Sequence, residues 1–250
     1  MQSPLRYLLP CGLLFFLSPL SVHADDLPAL VLDSECVVLL HGLVRSARSM
    51  EKLEEQLQAD GYRVVNVDYA SRSDEIEDLT DQYLPDAIDA CGDVQRINFV
   101  THSMGGIMLR YWFSGNAQVR PGRTVMLAPP NQGSELVDKL QGLPGYKWLN
   151  GPAGYQLGTG DDSLPLQLGP ANFEVGVIAG SASFNPLYSS LVPGDDDGKV
   201  SVERARLAGM SDFIVLEHSH SWMMRADPVI YQVRHFLSTG SFDHVVEGER

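Results

Sequence analysis

The sequence predicts an α/β fold, a mostly parallel central sheet with helices on both faces. Three observations lead there. Strand-like runs of about five to seven residues alternate with helix-periodic segments from Glu35 onward, the pattern of βαβ units. Runs such as CVVLL (36–40) are apolar throughout, as strands buried on both faces are. No repeat, low-complexity tract or linker divides the 250 residues, of which 44% are hydrophobic, enough for one domain with a sizeable core.

In chain order, CVVLL is the first strand and ends at His41-Gly42. The segment SARSMEKLEEQLQADGY then places Met50, Leu53 and Leu57 on one helical face, with Gly61 as a stop. RVVNVDY (63–69) is the second strand. Ile76, Leu79, Tyr83, Ala87 and Ile88 follow with helical spacing in an acidic segment, where Pro85 predicts a kink or break. RINFVTH (96–102) is a strand, MGGIMLRYWF (104–113) a helix and RTVMLAP (123–129) a strand. A short helix near Ser134–Leu140 precedes a Gly/Pro-rich stretch, residues 142–170. FEVGVIAG (173–180) and DFIVLEH (212–218) are the last strands. The chain closes on a helix with Asp227 as N-cap, Pro228 in the first turn, and Val229, Val233, Phe236 and Leu237 facing inward.

The first 24 residues carry Arg6, the apolar run LLPCGLLFFLSPL and a VHA site before Asp25, the pattern of a cleaved export signal. The run is short and broken by Pro10 and Pro19, a poor membrane span. The expected mature domain is therefore 25–250, in the periplasm or outside the cell. Losing Arg6 leaves 17 Lys and Arg against 32 Asp and Glu, a formal charge of −15 in place of −14. Such a surface repels nucleic acid and anionic lipid head groups, and no basic cluster with interleaved aromatics appears in the sequence. Two cysteines remain, Cys36 and Cys91. In an oxidising compartment they are a disulfide candidate, with two buried thiols as the alternative.

In open parallel sheets, ligands bind beyond the carboxyl ends of the strands. NFVTHSMGG (98–106) lies at such a place, with Ser103 between a strand and a helix. A serine hydroxyl needs a base to take its proton and must stand clear of the sheet, which a sharp strand-to-helix turn provides. Gly105 and Gly106 let the helix approach closely, while Thr101 stands where the common pattern has Gly. An N-cap serine followed by permissive glycines is the alternative reading.

Three further segments bear on Ser103. In VVLLHGLVRS, Gly42 lets the chain turn so that the Leu43 N–H, with that of Met104, makes a two-donor oxyanion hole. His41 and His102 read as structural. VPGDDDGKVSV (192–202) offers Asp195, Asp196 or Asp197 to orient a histidine, against a calcium loop or a solvated turn. VLEHSHSWMM ends a strand in His218-x-His220, against a metal pair or a structural turn. The order Ser103, Asp, His220 is a hydrolase order.

On HGL, THSMGG, LAPPNQGS, DGKVSV and HSHSW, the chain resembles the α/β-hydrolase superfamily, in particular small bacterial lipase-like and esterase-like enzymes. The resemblance implies Ser103 as nucleophile, Asp197 as the acid because it stands directly before the Gly of DGKV, and His220 as the base. It also implies the Leu43 and Met104 amides as oxyanion hole, and a cap or lid at 142–170. Tyr146, Trp148, Leu149 and Tyr155 there would touch lipid or line an acyl pocket, against an ordinary packed surface loop. The expected activity is hydrolysis of a small-molecule or lipid ester through an acyl-enzyme, with no cofactor, no partner protein and at most transient contact with a lipid surface. A thioesterase, an acyltransferase or a non-catalytic binding protein on the same fold is the alternative.

Overall fold

The computed structural model describes residues 35–115 and 121–245. The export signal and its cleavage site at Ala24–Asp25 lie outside the described residues. Six strands form one sheet: β1 (Glu35–Leu40), β2 (Arg63–Val67), β3 (Arg96–His102), β4 (Thr124–Leu127), β5 (Val175–Gly180) and β6 (Asp212–Leu216). Their spatial order is β2-β1-β3-β4-β5-β6, and every neighbouring pair is parallel.

Pleating explains the all-apolar strands. On β1, Cys36, Val38 and Leu40 enter the core on one face, while Val37 and Leu39 enter the core on the other. The second face is closed by α1 (Glu51–Ala59), bringing Leu53 and Leu57, and by α9 (Asp227–Thr239), bringing Val229, Val233, Phe236 and Leu237. The first face is closed by α2 (Ile76–Ala90) and α3 (Met104–Gly115). A 3-10 turn at Ala47–Met50 leads into α1 and buries Met50.

Pro85 sits inside α2 without ending it. The carbonyl its missing N–H leaves unpaired belongs to Asp81, which is exposed and can bond water. Leu84 and Ala87 remain on the buried face on either side. At the other end of the chain, Ala226, with an extended backbone, rather than Asp227 is the N-cap of α9; Asp227 is already the first helical residue, and its carboxylate lies 2.6 Å from Lys52 Nζ.

Between β4 and β5 the Gly/Pro-rich stretch is ordered into α5 (Tyr146–Tyr155) and α6 (Leu164–Gln167), preceded by α4 (Glu135–Leu140). Buried Arg110, on α3, donates to the backbone carbonyls of Asn131, Pro165 and Gly169 at 2.8–2.9 Å. Gln156 accepts the Ile76 N–H at the start of α2, 2.7 Å. This stretch is thereby tied to two core helices, while Trp148 and Leu149 stay exposed. A disulfide joins Cys36 on β1 to Cys91 at the end of α2, with a Cα–Cα distance of 5.7 Å.

Strand order reverses between β1 and β3, so the loops leaving these strands diverge and open a crevice at their carboxyl ends. Ser103 follows β3 and the His41–Val44 loop follows β1. His220 follows β6, and Asp197 follows β5 between α7 (Pro186–Ser189) and α8 (Val202–Ala205), so the acid is not directly on a strand end.

Candidate active site

Ser103 adopts φ 52° between β3 and α3, the strained left-handed region for a residue with a side chain. Its N–H donates to Leu127 O on β4 at 2.8 Å, and its carbonyl accepts from Gly106 at 2.9 Å. The turn is closed because a Cβ at Gly105 would stand 2.6 Å from Leu40 O. Thr101 fits for a related reason: its Oγ1 lies 3.2 Å from where a Gly106 Cβ would be, so the glycine on the helix makes room for the threonine on the strand.

Three side chains meet at this turn. His220 Nε2 lies 3.0 Å from Ser103 Oγ, and His220 Nδ1 lies 2.8 Å from Asp197 Oδ2. The carboxylate can only accept, so Nδ1 carries the proton and Nε2 is left to accept from the serine hydroxyl. Asp197 Oδ1 accepts from the Lys199 and Val200 N–H groups at 3.0 and 2.9 Å. Gly180, at the end of β5, admits the acid: a Cβ there would meet Asp197 Cβ at 2.8 Å. All three side chains are buried, with Ser103 8% exposed at the mouth of the site.

The two neighbouring aspartates are placed otherwise. Asp196 Oδ1 accepts from Gly198 N–H at 2.6 Å and from Ser189 Oγ at 3.0 Å, holding the loop. Asp195 is exposed. His218 is half-buried, the bonds to Ser103 and Asp197 being made by His220, and burial holds the His218 imidazole below the usual range.

Two further histidines near the site are structural partners. His102 Nε2 donates to the His220 carbonyl at 2.9 Å, and burial, helped by the nearby His220, holds its pKa well below the usual value. His41 is stacked on Tyr69 with ring centroids 3.9 Å apart, and burial lowers its pKa. The Tyr69 hydroxyl donates to the His41 carbonyl.

Met104 follows Ser103 directly, and Leu43 follows Gly42, which packs against the serine. Met104 opens α3, and a Cβ on Gly42 would stand 3.0 Å from Ser103 Cβ. Neither amide has an intramolecular acceptor among the described residues. Sequence reading missed the residue that shapes this loop. Val44 sits at φ 58°, a costly conformation for a β-branched residue, and its N–H is pinned by Ser71 Oγ at 3.0 Å. Nothing local to Val44 or Ser71 signals the contact, which spans 27 residues.

Among the described residues no three His, Cys, Asp or Glu side chains are grouped as metal ligands. The arrangement can do one thing readily: deliver a serine oxygen to an electrophile while an imidazole carries its proton.

The sequence profile of the Alpha/beta hydrolase family matches residues 37–239, most of the chain. The chain belongs to this family. Solved structures of similar fold include the mature form of the lipase BlEst2 from Bacillus licheniformis, at 20% identity over 82% of this chain and 91% of that one, TM-score 0.64. The metagenomic carboxyl esterase MGS0156 matches at 18% identity over 75% of this alpha/beta hydrolase and 65% of its own chain, TM-score 0.60. The RedJ thioesterase from the prodiginine pathway of Streptomyces coelicolor matches at 16% over 89% and 91%, TM-score 0.50. No curated protein matches the chain. At these identities the neighbours share the fold with this alpha/beta hydrolase, and the chemistry has to be argued from its own side chains.

Proposed function

We propose that this alpha/beta hydrolase is an exported serine hydrolase of carboxylic esters. The observation that carries the reading is the continuous hydrogen-bonded line from Ser103 Oγ through His220 to Asp197. Ser103 attacks the acyl carbonyl as His220 Nε2 takes its proton, and the proton passes to the leaving alcohol. Asp197 fixes the imidazole and steadies its charged form. The Leu43 and Met104 amides receive the oxyanion, and water resolves the acyl-enzyme by the same route in reverse.

Amphiphilic esters suit the surface around the site. Trp148, Phe184, Leu187 and Trp222 are 82, 81, 67 and 60% exposed. They lie on segments that follow β4, β5 and β6, at the end of the sheet where Ser103 stands. Exposed large apolar side chains gathered on one end mark a contact surface for apolar material. Export is supported by the N-terminal 24 residues and by the Cys36–Cys91 bridge, which persists in oxidising compartments.

The test is a p-nitrophenyl ester series from acetate to palmitate with purified mature protein. Turnover that Ser103→Ala lowers by at least about 10⁴-fold is expected. Activity peaking at long chains supports a lipase, and activity confined to acetate and butyrate a simple esterase. Wild-type protein that is folded yet hydrolyses no ester, while acting on acyl thioesters, would replace this reading with a thioesterase.

A further inference from the structure

An open cavity of about 890 Å³ adjoins the catalytic loops. Arg45, Arg48, Arg72, Lys147 and Arg225 line it, and no Asp or Glu does. Five of the chain's 18 Lys and Arg thus converge on one cavity in a protein of formal charge −14. None of the five is in an ion pair among the described residues. Arg225 donates to Arg48 O at 3.0 Å and Arg72 to Leu149 O at 3.4 Å, which orients both guanidinium groups and neutralises neither.

Uncompensated like charges repel, so folding gains nothing from gathering them. A ligand of opposite charge supplies the missing partner. A carboxylate satisfies one guanidinium fork, whereas four guanidinium groups and an ammonium match the several oxygens and higher charge of a phosphate. Exposed Trp148 and Trp222 stand in the same walls and offer apolar faces beside the cations.

The cavity lies beside the site, lined by chain neighbours of its residues. Its wall includes Val44 and Arg45, next to Leu43, and Ser221, next to His220. The alcohol leaving an ester takes its proton from His220, so that half of the substrate lies on the His220–Trp222 side.

We propose that the substrate is an acyl ester whose alcohol half bears a phosphate group seated among these five cations. This deepens, and rests on, the ester hydrolase reading. Ser103 Oγ bonds to the acyl carbon and the C–O bond to the phosphate-bearing alcohol breaks. That alcohol leaves with the proton from His220. Water then bonds to the acyl carbon, the Ser103 ester breaks, and a carboxylic acid departs. The P–O bonds are untouched. The chain's net charge would repel such a substrate at long range, and the local cations reverse the sign at the cavity.

The experiment separates binding from turnover. Ser103→Ala protein is titrated with monomeric 1-lauroyl-glycerol-3-phosphate and with 1-lauroyl-glycerol, which differ only by the phosphate, and followed by tryptophan fluorescence. Binding of the phosphate ester at least about tenfold tighter is expected, a preference that added NaCl erodes. The added pair Arg48→Gln and Arg225→Gln should abolish that preference. Arg234→Gln, whose parent side chain is paired with Asp60 far from the cavity, should keep it. Wild-type protein should then hydrolyse the phosphate ester with the higher kcat/KM. Comparing monomers with phosphatidylglycerol vesicles assigns the phosphate to a soluble ester or to a lipid head group. Equal binding of the two probes, or a preference that survives the double variant with an unchanged melting temperature, would overturn the proposal. Preferential binding with no ester hydrolysed by wild type would overturn it through the hydrolase reading instead.

Discussion

Asp197 and His220 are joined twice. Their side chains meet at 2.8 Å, and the His220 N–H donates to the Asp197 carbonyl at 2.9 Å. The backbone bond ties the loop after β6 to the loop carrying the acid, so the imidazole is positioned before the carboxylate acts on it. His102 holds the same residue from the other side through the His220 carbonyl.

This pairing separates the three adjacent aspartates. Asp197→Asn should lower kcat by about 10³–10⁴-fold, because an amide that donates to Nδ1 favours the wrong tautomer, while the backbone link keeps the fold. Asp196→Asn removes a charged acceptor from Gly198 N–H and Ser189 Oγ. It should cost about 1–3 kcal/mol of stability. Steady-state kinetics and urea melts of the two variants distinguish them, and equal kinetic losses would contradict the assignment.

Stability should fall as pH drops below 6.5. Burial depresses the His41 and His102 pKa values in the fold, whereas the unfolded chain has ordinary imidazoles at 6.5. Below that pH the unfolded state binds protons the folded state refuses, so stability present above 6.5 is lost on acidification. The slope should reach up to about 1.4 kcal/mol per pH unit for each histidine. His102→Asn should flatten the dependence by about one proton between pH 6.5 and 5.5. An unchanged slope in urea melts would contradict this.

Arg110→Met should destabilise the protein by about 3 kcal/mol, since it strips the carbonyls of Asn131, Pro165 and Gly169 of their shared donor. Burial already pushes the Arg110 pKa down to about 10. Hydrogen exchange should rise first in residues 131–170, because the anchor of that stretch is gone. Uniform loss across the fold would argue against a local tether.

Reducing the Cys36–Cys91 bridge should lower stability by about 4 kcal/mol, the chain-entropy value for a separation of 55 residues. Denaturant midpoints with and without reductant test it. A Cys36→Ala/Cys91→Ala variant as stable as wild type would show that the bridge adds nothing.

What the sequence revealed follows the range of the forces involved. Buried parallel strands and their helices announce themselves through periodicity within a few residues, and the turn at Ser103 through its two following glycines. Asp197 could be told from Asp196 only by resemblance, because hydrogen bonds to Ser189 and Gly198 occupy one acid and His220 the other. Pro85 does not break α2, since the residue whose carbonyl it orphans, Asp81, is exposed to water. Val44 was invisible because its strain is held by Ser71, 27 residues on. The cations of the cavity, from Arg45 to Arg225, are dispersed over the chain and meet only in space, which is why whole-chain charge pointed away from anionic ligands.

The most direct test of the central claim is labelling with a fluorophosphonate followed by peptide mass spectrometry. The mature wild-type protein should take up one label, on Ser103, and Ser103→Ala should take up none. Folded wild-type protein that stays unlabelled, or a label carried by another residue, would contradict the account.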